Sequence, residues 1–394
     1  MKRLVTTRQL SLILIISLIT LKGLLLPPIM AKDLGRDSYI FAFVPLILDF
    51  LVLLGFLFIM NKYPGQSFFQ ILQQLFGIVI AKVIMFFFFC FFFIKSCIIF
   101  QANFVYLNEN LYTTFNWLIF AVPILFTAVA CAMRGVTAFA RLVEFFFPVI
   151  IVGVFTSVGA GVLSADFSNL LPFMEFGLSK LPKVFSYALW FGDYLIMIVF
   201  FGNVKTTPKF NLRIILSIAG GIVGVVAFFA IFYSIHNYSA ICHTNAISDM
   251  LQTMPLSSDV GSFDWILIIL WDISLFLFFT MNVLGAFYSF RMAFFDLLHM
   301  PVAIGIVVLV YVVNWLINFD IYFTIDVAQK YLWQGCLFVQ YGLPAIIFSF
   351  ALFKKHKQNN KTAGQPATMQ NSKAESKRIT LTREGVLDKG GSVQ

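Results

Sequence analysis

Ten stretches of this chain are apolar over the length that crosses a bilayer, and nothing else in the sequence limits its fold as strongly. A span needs ~20 mostly apolar residues. The stretches run from Leu10 to Ala31, Tyr39 to Met60, Ile78 to Leu107, Trp117 to Met133, Leu142 to Ser164, Val184 to Asn203, Leu212 to Ile235, Phe263 to Phe290, Pro301 to Phe319, and Leu332 to Phe353. Backbone groups surrounded by lipid must find partners inside their own segment, so apolar runs of this length become helices. The chain therefore reads as an all-α polytopic membrane protein. The over-long third run implies a tilted helix or one that continues past the bilayer; its "FFFFCFFFIK" reads as a bias toward Phe rather than an aromatic binding stack. Hydrophobic residues make up 60% and charged residues 11% of the 394, and mean hydropathy is +0.91. No connecting stretch is long enough to bury an aqueous core, which argues against a soluble catalytic domain.

The formal charge of +9 does not point to nucleic acid, because of where it sits. Between Lys354 and Gln394 nine Lys/Arg face three Asp/Glu, which accounts for six of the nine net charges. The sequence thus divides into a ten-helix membrane domain, 1–357, and a hydrophilic tail, 358–394, that is expected to be disordered and to start beside the membrane at "KKHK". The opening run is about a full span long and lacks a small-residue cleavage site, so it reads as a retained helix.

Positive residues in short loops orient the spans. Lys2, Arg3, Arg8, Lys62, Arg134, Arg141, Lys205, Lys209, Arg213, Arg291, Lys354, Lys355 and Lys357 collect on one side, against Lys32, Arg36, Lys180, Lys183 and Lys330 on the other. Both termini are then cytoplasmic, which an even number of spans requires. Ten spans split into five and five, and an odd number per half gives the halves opposite topology, the arithmetic of a 5+5 inverted repeat. In such folds, interrupted spans at corresponding positions mark the site. Span one carries "LKGLLLPP" and span six "LWFGDYL", so the broken helices are one and six and the candidate ligand residues are Lys22, Gly23, Gly192 and Asp193.

Depth supports pairing two of them. At ~1.5 Å per residue, Lys22 and Asp193 both fall within roughly 3 Å of the membrane midplane, displaced to the same side. Lys22 cannot snorkel out, because its side chain of ~6 Å is far short of the ~15 Å to the boundary. A lysine at this depth costs ~3 kcal/mol on insertion scales unless paired or hydrated. Three readings stay open. The two charges engage the ends of a zwitterionic ligand, or Asp193 is a protonation site tuned by Lys22, or the pair only locks the broken helices together. Asp49 in span two, Lys95 in span three and Asp272 in span eight are candidates for an ion path or for satisfied interior pairs.

Other features carry less. Arg141 and Glu144, three apart at the start of span five, suggest a surface pair. The glycines of "AGGIVGVV" and "VGAG" suit close helix packing. Cys242-His243 with His236 matches no standard metal spacing; no metal or cofactor is expected. Nor does the chain offer a convergent His and carboxylate set for a membrane enzyme, since His236 and His243 are loop-side and His299 lies near Arg291.

Several stretches together resemble the endospore germination permease family, the B subunit of spore germinant receptors, within the amino acid/polyamine/organocation transporter superfamily. "KGLLLPPIMAKDLGRDSYI" resembles that family's first span and outer loop, and "KYPGQSFFQILQQLFG" the loop after its second span. "RLVEFFFPVII" resembles its fifth span, "DFSNLLPFMEFGL" the loop before its sixth, and "YGLPAIIFSFALFKKHK" its end. The resemblance covers roughly Thr6 to Lys357. It implies a small-nutrient site between broken spans one and six, A and lipoprotein C subunits as partners, and residence in the spore inner membrane. A proton- or sodium-coupled amino-acid permease of the vegetative membrane is the alternative. Lys22 stands where the family usually has a small residue, and Asp193 where it usually has Glu.

Overall fold

The computed structural model describes residues 4–110, 118–175, 177–252, 264–294 and 299–353. The chain divides into two compact units, Met1–Phe348 and Ser349–Gln394. The tail expected at 358–394 and the span ends at Trp117 and Phe263 lie outside the described residues.

Among the described residues the secondary structure is helical, with one isolated β-bridge between Val5 and Val204. The main helices are α1 (Thr7–Leu24), α2 (Leu26–Leu34), α3 (Phe43–Lys62), α4 (Phe68–Phe76), α5 (Ile78–Asn110), α6 (Leu118–Arg134) and α7 (Val136–Ser164). They are followed by α8 (Phe210–His236), α9 (Asp264–Phe294), α10 (His299–Leu316) and α11 (Leu343–Phe353). Among the described residues nine helical segments are long and apolar enough to cross a membrane, and the shorter apolar helix Ala121–Arg134 falls where the fourth span is expected.

The packing centres on α1. Thr6 caps its start, accepting from the Gln9 backbone while the Gln9 side chain returns to the Thr6 N–H, a reciprocal arrangement that satisfies two orphan donors. The helix then runs between α7, α8 and α9. Leu10, Leu14, Leu18 and Leu21 are among its buried residues, and so are the polar Ser17, Thr20 and Lys22. Beside it lies the sixth span, the most completely buried of the nine. Val5 donates to Asn203 O at 2.8 Å and accepts from Lys205 N at 2.9 Å. The start of span one is thereby tied to the end of span six, so the two run in opposite directions.

The interruptions have identifiable causes. In span six, short 3-10 segments Phe185–Trp190 and Asp193–Ile196 flank Gly192, which sits in the left-handed region at φ 77° and ψ 21°. A Cβ there would lie 2.7 Å from Gln340, so both the conformation and the space require glycine. In span one the break falls at Leu25 and not at Lys22-Gly23. Gly23 is inside α1, where a Cβ would meet Trp271 and Ile247 at 3.4 Å, an ordinary packing distance. What interrupts the helix is Pro27-Pro28, which supplies no N–H to the carbonyls of Gly23 and Leu24. Tyr233 donates to Pro27 O at 2.6 Å.

Two further differences separate the chain from its sequence pattern. Glu144 accepts from Gln9 at 2.8 Å and lies 3.8 Å from Arg8, so it ties α7 to α1 instead of pairing with Arg141. The last apolar helical segment begins at Ile321 and contains π-helical turns at Ala328–Leu332 and Phe338–Gly342. Such turns are common at functional sites, and the second carries Gln340 and Tyr341.

Candidate functional site

The buried charges converge on Asp193, immediately after the span-six break. Lys22 of α1 hydrogen-bonds Asp193 Oδ2. Lys95 of α5 donates to Asp193 Oδ1 at 2.5 Å and to the Phe191 carbonyl at 2.5 Å. Both lysines are sealed from solvent, at 0% and 1% exposure. Two ammonium groups from two helices therefore share one carboxylate. Aromatic faces line them: Lys22 Nζ lies 5.2 Å from the Phe191 ring centre, and Lys95 Nζ 5.5 Å from Phe91 and 5.7 Å from Phe278, within range of cation–π attraction.

Helix geometry explains how the charges arrive. On α5, Phe88, Phe91, Phe92 and Lys95 lie at i, i+3, i+4 and i+7 on one buried face. On α3, Leu46, Asp49, Val52, Leu53 and Phe56 do the same. Asp49 thereby reaches the break itself, where both carboxylate oxygens lie 3.0 Å from the Gly192 N–H and Oδ1 also accepts from Tyr341 at 3.0 Å. The kink leaves the Phe191 carbonyl without a helical partner, while the Ala188 carbonyl keeps the Phe191 N–H at 2.9 Å; Gln340 Nε2 donates to Ala188 O at 2.8 Å and to Phe191 O at 3.3 Å. A carboxylate thus covers the freed donor, while an ammonium and an amide cover the freed acceptor, as buried backbone groups demand.

Of the residues singled out by sequence, Lys22, Gly192, Asp193, Lys95 and Asp49 come together here. Gly23 lies one residue from Lys22, packed on Trp271. Asp272 does not join: it accepts from Asn103 at 3.0 Å. Gln340, Tyr341 and the Phe191 carbonyl are the members that hydropathy and charge did not reveal. Nearby, Thr20 donates to Ile16 O at 2.7 Å, so Ser274, 2.6 Å from Thr20 Oγ1, acts as donor to it.

Above the span-one break is a narrow cleft lined by Leu25, Pro28, Lys32, His243 and Tyr322, with free room of about 10 Å³, close to that of one water. Lys32 lies over the Tyr322 ring at 5.0 Å. His243 packs against His236 with ring centres 4.0 Å apart and planes tilted by 51°, and its Nδ1 is 3.2 Å from Asp249. Burial pushes the Asp249 carboxyl above its ordinary pKa, with His243 opposing. On the same side Asp33 receives Tyr187 at 2.5 Å and Lys183 at 3.6 Å, and Arg36 pairs with Glu175 at 3.1 Å. A larger groove of about 470 Å³, between Phe89, Phe290, Pro301, Gly305 and Leu309, has an almost wholly apolar lining. It suits hydrocarbon, and none of its lining residues belongs to the charged centre.

No curated protein matches the chain. A family model described as spore germination protein matches residues 4–320, an interval that contains both broken spans and the whole charged centre except Gln340 and Tyr341. With its multiple apolar helices, the chain belongs to the spore germination permease family of multi-pass membrane proteins, a permease and receptor type of family and not an enzyme family.

Proposed function

We propose that this chain is the permease-like subunit of a spore germinant receptor, which senses a small nutrient such as an amino acid at a site between spans one and six and thereby triggers germination. The observation that carries the reading is Asp193, placed at a helix break and held by lysines from two other spans. Charged groups at membrane depth are costly and are retained at substrate or ion sites, and broken helices at the midplane are where such sites form. Lys22, Gly23, Gly192 and Asp193 line the site. Lys95 and Asp49 complete it, and Asp272 with Asn103 forms a separate polar position on any ion path.

The reading includes ten spans arranged as a 5+5 inverted repeat over 1–357 and a hydrophilic tail at 358–394. Both termini are cytoplasmic, and the protein resides in the spore inner membrane beside a receptor A subunit and a lipoprotein C subunit. Deleting the gene and assaying spore germination over a nutrient panel tests the proposal. Loss of response to at least one nutrient, restored by the intact gene but not by a Lys22→Gln copy that accumulates normally, is the expected result. Unchanged responses in a strain that also lacks the related receptors would overturn it.

A further inference from the structure

The large apolar groove is built by three helices, and its two ends differ in chemistry. One wall is α10, where Pro301, Gly305 and Leu309 recur at i, i+4 and i+8 and are all exposed. Phe89 of α5 and Phe290 of α9 form the other, their ring centres 5.0 Å apart. Next to that pair Phe86 of α5 meets Phe294 of α9 at 5.6 Å, so phenylalanine contacts join the two helices toward this end. Gly305 keeps the groove open, because a Cβ added there meets nothing within 4 Å.

Depth limits what can enter. Pro301 to Leu309 is eight residues of helix, ~12 Å, against ~15 Å for half of a ~30 Å hydrocarbon core. Pro301 begins the apolar run of α10, so the groove covers one leaflet from its boundary nearly to the midplane. The boundary end carries nitrogen donors from all three helices. The Arg291 guanidinium lies 5.6 Å from the Phe287 ring centre and the His299 ring 6.4 Å from it, which brings the end of α9 and the start of α10 together within a turn of Phe290 and Pro301. Lys82 precedes Phe86 and Phe89 at i, i+4 and i+7 on α5 and so continues that wall outward. Over 78–94, 273–294 and 299–316 these helices carry no acid, and Asp296 lies outside the described residues.

We infer that the groove binds an anionic phospholipid of the leaflet on the Arg291 side, with one acyl chain along Pro301, Gly305 and Leu309 and the headgroup at Lys82, Arg291 and His299. On the orientation proposed above this is the cytoplasmic leaflet. The inference does not rest on the midplane site, none of whose residues lines the groove. A lipid suits both ends at once, since a phospholipid of that leaflet carries hydrocarbon along the apolar walls and a phosphate at the level of the donors. Lys82 and Arg291 attract that phosphate and repel the ammonium of a zwitterionic headgroup, so a net negative headgroup is preferred. An occupied groove packs three helices against one chain, and binding is therefore read as stabilisation.

The test uses the full chain purified in detergent and two lipids with the same oleoyl chains, phosphatidylglycerol and phosphatidylcholine. Each is titrated while the thermal unfolding midpoint is followed, and a phosphatidylglycerol with a diazirine in one acyl chain locates the site by photolabelling. Phosphatidylglycerol is expected to half-saturate at a concentration about tenfold or more below phosphatidylcholine, and the photoreactive chain to label 301–309, Phe89 or Phe290. Gly305→Phe, which fills the groove with a ring, is expected to abolish both the stabilisation and that label. The double variant Lys82→Gln/Arg291→Gln is expected to erase the preference between the two lipids. The label on the unaltered chain decides the location even if a variant does not fold. Equal action of the two lipids on the unaltered chain, or labelling confined to other helices, overturns the inference. So does a dimer that survives added lipid and that Gly305→Phe dissociates, because the groove is then a contact between copies of the chain.

Discussion

Replacing Asp193 by asparagine keeps the shape of the side chain and removes the one carboxylate that two buried ammonium groups share. Breaking a buried ion pair from one side costs ~3–5 kcal/mol, and here two pairs lose the same partner. Domain stabilities are about 5–15 kcal/mol, so Asp193→Asn is expected to remove a large part of the total. Lys22→Met should behave differently. It leaves Lys95 and Asp193 as a one-to-one pair and fills similar volume, so its cost is expected to be under about 1.5 kcal/mol. The double variant Lys22→Met/Asp193→Asn still strands Lys95 and should recover only part of the loss. Adding Lys95→Met should recover most of it, because an apolar replacement of a whole buried ionic group is often neutral. The assay is the unfolding midpoint of each purified variant in the same lipid and at one scan rate, which holds irreversibility constant. The reasoning fails if Asp193→Asn costs no more than Lys22→Met, or if the double variant returns to wild type while Lys95 remains.

The same measurement checks four further expectations. Gly192→Ala should cost about 2 kcal/mol or more, since the left-handed conformation alone costs ~1–2 kcal/mol and a Cβ meets Gln340 at 2.7 Å; Gln340→Ala in the same chain should return the clash but not the strain. Asp49→Asn, which keeps an acceptor for the Gly192 N–H, should be milder than Asp49→Leu, which orphans that donor at about 1–3 kcal/mol. Tyr233→Phe removes a buried hydrogen bond to Pro27 O and should cost about 1 kcal/mol. Glu144→Gln should change the midpoint little: Arg8 is 76% exposed, exposed pairs contribute ~0–1 kcal/mol, and the amide still accepts from Gln9.

Depth was legible in the sequence, and lateral position was not. The rise per residue of a helix places Lys22 and Asp193 at one level of the membrane, and flanking charges supply the zero of that scale. Nothing in hydropathy says which helices are neighbours, because in lipid the outer face of a helix is as apolar as its buried face. On α5, Phe86 and Phe87 are exposed while Phe88, Phe91 and Phe92 are buried. One phenylalanine tract thus covers both environments and leaves no amphipathic stripe to read. Lys95 itself was the usable signal, since a charge marks the interior face of an otherwise uniform helix. Gln340 and Tyr341 gave a weaker sign of the same kind, and the π turn that carries them has no sequence rule to announce it. The stretch LKGLLLPP offers both a glycine and two prolines as the cause of the break in span one, and the break falls at Leu25, because only the prolines remove backbone donors.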